Sequence, residues 1–101
     1  MRTDIDQVSR YLETLQLPLS AKLQSIDDRL RVDGKWGINI GRVEGTLLQF
    51  LIKSFSVKKV LEIGTQYGYS TQWMLEALPE DGRIWSLESN STHAQNAKEL
   101  L

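Results

Sequence analysis

Val60-Leu61-Glu62-Ile63-Gly64-Thr65-Gln66-Tyr67-Gly68-Tyr69-Ser70-Thr71 decides how this chain is read. Val60 to Ile63 is a short, nearly continuous apolar run, as expected of a strand buried on both faces. Gly64 to Gly68 then predicts a turn, and Ser70 to Leu78 a helix with Trp73, Met74, Ala77 and Leu78 facing inward. A strand running through a glycine loop into a helix is the usual place for a ligand in an open α/β sheet. On this reading Gly64 lets a ligand approach the backbone, and Gly68 lets the helix begin close against the strand. The free N–H groups of the helix start favour an anion.

Downstream, Pro79-Glu80-Asp81-Gly82 forms a tight turn. Arg83 to Glu88 is a second strand, and Ser91 to Leu101 starts another helix. Glu88 ends that strand, where a carboxylate can accept hydrogen bonds from a ribose diol. Upstream, Asp4 to Leu17 carries Ile5, Val8, Leu12 and Leu15 at helical spacing, with Thr3 and Asp6 as a weak capping box and Pro18 as a stop. A second helix runs from about Ser20, with Leu23, Ile26 and Leu30 on one face and Gly34 just past its end. Lys35 to Gly41 reads as a loop. Arg42 to Phe55 is a third helix with a wide apolar stripe through Leu47, Leu48, Leu51, Ile52 and Phe55, which we assign to core packing.

The order is three helices followed by β-α-β-α, the opening of an α/β fold with a parallel, right-handed crossover. We divide it into N-terminal helices with a gating loop (1–41) and the first half of a Rossmann-like domain (42–101). Two parallel strands leave exposed edges and enclose little core, so the chain reads as cut short or completed by a partner, with a homodimer expected.

Composition narrows the function. Twelve basic and thirteen acidic residues give a net charge of −1, which suggests neither a nucleic-acid partner nor an anionic membrane. No stretch approaches the roughly 18 apolar residues of a membrane span. The first residues lack the apolar core of a secretory signal. No cysteine and a single histidine exclude thiolate and multi-histidine metal sites. A cytoplasmic location is the default expectation.

The glycine spacing separates two nucleotide cofactors. A dinucleotide loop has a middle glycine that makes room for pyrophosphate, whereas Gln66 stands there in this chain, and Gln66 and Tyr67 are expected to crowd a pyrophosphate. S-adenosylmethionine (SAM) has no pyrophosphate and fits better. The segment Lys59 to Leu101 resembles the catechol- and caffeoyl-CoA-type O-methyltransferases of the class I methyltransferase fold. The resemblance rests on an ordered set: Leu61-Glu62-Ile63-Gly64, Gly68-Tyr69-Ser70, Leu78-Pro79-Glu80-Asp81-Gly82 and Leu87-Glu88. Trp36-Gly37-Ile38-Asn39-Ile40-Gly41 with Gly45 looks like the family's loop before the helix that closes over cofactor and acceptor.

That resemblance implies transfer of a methyl group from SAM to a hydroxyl of a small molecule. It implies that Gly64 and Ser70 contact the amino-acid end of the cofactor, Ser70 through its hydroxyl to the carboxylate. Glu62 would hold the loop and face the amino group, Glu88 would bind the ribose, Ile40 would contribute its backbone, and Trp36 would line the acceptor pocket. The sequence departs from the family at Ser89-Asn90-Ser91, where relatives often carry a proline, which bears on the adenine side. Metal-assisted members hold a divalent cation such as Mg²⁺ on later strands, where it lowers the acceptor hydroxyl's pKa. No such cluster is visible here, since Asp27 and Asp28 are adjacent on a helix and point apart. No catalytic residue is assigned, and the 101-residue chain alone is expected to be inactive.

Plainer readings stand beside these. Glu62 can be a strand-end carboxylate satisfied by backbone donors, Ser70 a helix N-cap, and Glu88 a solvated strand terminus. Trp36 suits packing as well as acceptor contact, and Trp73 and Trp85 read as core or interface. His93 reads as an exposed surface histidine. Two rival functions remain: a non-catalytic, self-associating module derived from the same fold, and half of a dehydrogenase, which Gln66 disfavours.

Overall fold

A computed structural model describes residues 2–101 of the backbone and the side chains from residue 7 onward. The Thr3–Asp6 capping pair and Ile5 therefore lie outside the described side chains. The chain forms α1 (Arg2–Thr14), α2 (Ala21–Val32), α3 (Arg42–Ser54), β1 (Lys59–Ile63), α4 (Tyr69–Leu75), β2 (Arg83–Leu87) and α5 (Ser91–Leu100). The element order matches the expectation. Several ends differ by a few residues; α4 stops at Leu75, where a turn replaces the last part of the expected helix.

Helix α2 shows how local sequence becomes packing. The Ser20 hydroxyl caps it by accepting from the Leu23 N–H at 3.2 Å, which satisfies one of the helix's free donors. Leu23, Ile26 and Leu30 then share one face and are almost wholly buried. Burial of each such side chain stabilises the fold by about 2 kcal/mol. Asp27 lies on the same face and is buried too. Arg31 makes this tolerable by donating to it at 2.6 Å. Asp28 instead accepts from Gln24, so the adjacent carboxylates do point apart.

The hub of the molecule is α4. On one side, Tyr69 and Trp73 join the α2 residues and Tyr67 in one core, with Leu100 and Leu101 packed against it. On the other, Met74 joins Ile52 and Ala77, packed against Leu48 of α3 and Val60 and Ile84 of the sheet. Helix α3 comes close because Gly45 has no side chain: a Cβ there would stand 2.3 Å from the Trp73 ring.

Strands β1 and β2 pair in parallel, with Glu62 opposite Ser86 and Ile63 opposite Leu87. The expectation that β1 is buried on both faces is corrected. Val60, Glu62, Ile84 and Ser86 face the helices, but Leu61, Ile63, Trp85 and Leu87 on the other face are 66%, 77%, 53% and 55% exposed. Strand side chains alternate, and Leu48 of α3 and Met74 of α4 pack on the face that carries Val60 and Ile84. The α3 stripe is likewise only partly core: Ile52 is buried, but Leu47 and Phe55 are largely exposed.

Candidate functional site

Beyond the ends of the strands lies an open cleft of about 500 Å³, within the range of small-molecule sites. Ile40, Glu62, Gly64, Ser70 and Glu88, separated by up to 48 positions in sequence, all line it. Trp36 is not among the lining residues. It packs edge-on against Tyr69 with ring centroids 5.5 Å apart, and the Arg31 guanidinium sits 4.1 Å over its ring.

Glu62 is the most heavily engaged side chain of the cleft. One carboxylate oxygen, Oε2, accepts from the Ser70 hydroxyl at 2.5 Å. The other, Oε1, accepts from Thr71 at 2.5 Å and from Ser86 at 2.7 Å. The partners of Glu62 are therefore side-chain hydroxyls rather than the backbone donors of the plainer reading. Ser86 can reach it because the two residues are neighbours across the sheet. Ser86 and Thr65 are also hydrogen-bonded, hydroxyl to hydroxyl, at 2.5 Å. The reading of Ser70 as N-cap is corrected: Gly68 caps α4, with a left-handed backbone at φ 85°, and Ser70 turns back to Glu62.

Gly64 and Gly68 do different work. Gly64 has φ 93°, and nothing lies within 4 Å of where a Cβ would stand, so its open side faces free space. At Gly68 a Cβ would lie 2.8 Å from the Leu101 side chain. The close approach at Gly68 is thus to the end of α5 and not to the strand, as the sequence suggested.

Glu88 turns back to the same loop. Its Oε1 accepts from the backbone N–H of Gln66 at 2.6 Å and its Oε2 from that of Asn90 at 3.0 Å. The Asn90 and Gln66 N–H groups, with the nearby His93, hold its pKa below the ordinary carboxylate value. Each oxygen keeps lone pairs for further donors. Gln66 adopts a left-handed backbone, φ 51°, to present that N–H.

Tyr67 is not among the residues that line the cleft. Its ring is buried in the first core, and its hydroxyl donates to Asp33 at 2.7 Å. That bond and burial both raise the Tyr67 pKa, and the same bond lowers that of Asp33. His93 is also corrected: it is half-buried, lines the cleft and meets Tyr67 edge-on at 5.7 Å.

Sequence reasoning missed Thr65, Thr71, Ser86 and His93. Ser86 left a signal, as a polar residue at an inward-facing strand position that needs a partner. His93 left none, because its exposure depends on where Tyr67 points.

Comparison with known proteins agrees with this geometry. A sequence model of the family described as O-methyltransferase matches residues 13–101. The chain is 34% identical to a catechol O-methyltransferase of Niastella koreensis over 96 residues, covering 95% of this chain and 43% of that protein. The O-methyltransferase of Bacillus cereus, solved with S-adenosylhomocysteine (SAH), superposes with a TM-score of 0.84 at 28% identity, over 93% of this chain and 43% of that one. The O-methyltransferase TomG of Streptomyces achromogenes, solved with SAM, gives a TM-score of 0.82 at 29% identity, over 93% and 42%. The chain thus spans less than half the length of these relatives, and its two parallel strands and five helices correspond to part of their fold. By sequence and by structure, the chain belongs to the O-methyltransferase family.

Proposed function

We propose that this chain is the cofactor-binding half of a SAM-dependent O-methyltransferase acting on a hydroxyl of a small molecule. The observation that carries the reading is the convergence of Ile40, Glu62, Gly64, Ser70 and Glu88 on one cleft. The residues suit the cofactor chemically. Gly64 opens onto free space where an amino-acid chain can lie along the backbone. Glu62 offers a carboxylate to an ammonium, Ser70 a hydroxyl to a carboxylate, and Glu88 spare lone pairs to a ribose diol. SAM supplies the methyl group when bound; these residues bind and orient it. The bound SAM and SAH of the relatives point the same way.

Ile40 belongs to the segment 1–41, which we assign to N-terminal helices and a gating loop, whereas 42–101 is assigned to the first half of a Rossmann-like cofactor-binding domain. Trp36 packs against Tyr69, which lines the cleft, and its place on the acceptor side is part of the proposal. Among the described residues, no three His, Cys, Asp or Glu side chains converge, so no metal ligand is assigned to this chain. A divalent cation such as Mg²⁺ enters the proposal only through the family's metal-assisted route. Among the described residues no helix is long and apolar enough to cross a membrane. A cytoplasmic location is proposed on the cysteine-free sequence.

The bare sheet face favours a second reading, a self-associating module in which a homodimer covers Leu61, Ile63, Trp85 and Leu87. Calorimetric titration of SAM into the chain, with Glu88→Ala and NAD as controls, separates the two. Saturable binding of SAM, weakened at least tenfold by Glu88→Ala and absent for NAD, supports the cofactor reading. A folded chain that binds no SAM overturns it in favour of the module.

A further inference from the structure

We propose that the cofactor's zwitterionic end enters by replacing a hydrogen bond the protein makes to itself, and that Thr71 and Ser86 are the positioning residues that make this exchange possible. The inference rests on the cofactor reading above. It starts from a count of protons. Ser70 has one hydroxyl proton, and in this structure it goes to Glu62 Oε2. The same hydroxyl cannot at that moment donate to a ligand carboxylate. Glu62 Oε2, in turn, is partly satisfied by that proton and less available to an ammonium.

A ligand carrying both charges resolves the conflict in one step. The ammonium donates to Oε2 in place of Ser70, and the Ser70 proton turns to the ligand carboxylate. One neutral-donor bond breaks, and two bonds between ligand and protein form, each involving charged groups. A ligand with only one of the two charges leaves either Ser70 or Glu62 without its former partner. The exchange therefore selects for an α-amino acid moiety.

The exchange works only if Glu62 stays in place while Oε2 changes partner. The opposite oxygen provides the anchor. Oε1 keeps Thr71 from the start of α4 and Ser86 from β2, so the carboxylate is held from two separate elements. Since the Ser86 proton is committed to Glu62, Thr65 donates to Ser86, giving a chain Thr65 to Ser86 to Glu62. Thr65 is buried within the loop, so the same chain fixes the loop next to Gly64. Neither Thr71 nor Ser86 needs to touch the ligand, because both act through Glu62.

The test compares SAH with 5′-methylthioadenosine, which keeps the nucleoside and thioether but lacks the amino-acid end. Both are titrated by calorimetry into the wild-type chain and into Ser86→Ala, Thr71→Val, Ser86→Thr and Thr71→Ser. For Ser86→Ala and Thr71→Val we expect SAH to bind about tenfold more weakly. Binding of 5′-methylthioadenosine should stay within about twofold. Ser86→Thr and Thr71→Ser, which keep the hydroxyls, should restore the wild-type ratio. Equal weakening of both ligands overturns the proposal in favour of a general structural role, as does no change in either. Should a variant unfold, its hydroxyl-preserving partner still decides, because loss of selectivity there also overturns the proposal. If the wild-type chain binds neither ligand, the cofactor reading itself fails, and this inference with it.

Discussion

The backbone N–H of Gln66 donates to the Glu88 carboxylate at 2.6 Å, so the end of β2 grips the loop that follows β1. A residue expected to bind ligand is therefore also a clamp on its own site. The clamp explains why Gln66 holds a left-handed backbone, which a side chain other than glycine adopts only when its surroundings compensate.

The clamp predicts an acid dependence. The Asn90 and Gln66 N–H groups lower the Glu88 pKa from its ordinary 4.5. A carboxylate with a depressed folded pKa stabilises the fold fully above about pH 4.5, and that contribution is lost as pH falls through the depressed value. Thermal unfolding followed by circular dichroism from about pH 7 to about pH 3 should show a fall in Tm at the acid end. Glu88→Gln should flatten that fall. Asp33 and Asp81, also lowered, remain in both proteins, so the difference between the curves isolates Glu88. Identical acid limbs would show that the two N–H groups do not favour the charged form.

Gly64 and Gly68 should respond differently to alanine. Both backbones are left-handed, so each substitution costs about 1–3 kcal/mol in strain. At Gly68 the new methyl also meets Leu101, and the destabilisation should be the larger of the two. At Gly64 it meets no protein atom but fills the side proposed for the ligand. Gly64→Ala should therefore abolish SAH binding at a smaller loss of Tm. Retention of full affinity by a folded Gly64→Ala chain would move the ligand elsewhere.

Tyr67→Phe removes the hydroxyl that donates to Asp33. A lower Tm by a few degrees is expected at neutral pH. The raised Tyr67 pKa adds an alkaline signature: its stabilisation is complete below the ordinary value of 10.0 and lost as pH rises through the higher folded value. The variant should lose part of this alkaline decline. Tyr69, also raised by burial, remains in both proteins.

The bare sheet face yields a prediction about assembly. Light scattering across a concentration series should show the chain self-associating, and Trp85→Glu with Leu87→Glu should shift it to monomer. Both residues are more than half exposed, so the double variant should leave the monomer's far-UV circular dichroism unchanged. A wild-type chain that remains monomeric at high concentration would rule out the dimer.

Much of the fold was legible in the residues because its signals are local. Helix α2 is written in Ser20, Leu23, Ile26, Leu30 and Gly34, each acting through neighbours within a turn or two. The strand–loop–helix from Val60 to Thr71 is equally local, as is the turn Pro79 to Gly82. The run of apolar residues in β1 reports only that both faces want cover. It does not report which face this chain covers, because that depends on where α3 and α4 lie.

The sequence by itself determined the order of elements, since spacing and turn residues carry that information, and its resemblance to the O-methyltransferases named Ile40, Glu62, Gly64, Ser70 and Glu88. Only the tertiary structure decided how these residues are wired. Ser86 reaches Glu62 because parallel pairing puts them side by side, and Tyr67 stays out of the cleft because α2 and α5 offer it a core and Asp33 a hydrogen bond. Hydrogen bonds act over about 3 Å, and no periodicity along a chain can specify which distant groups fall within that range.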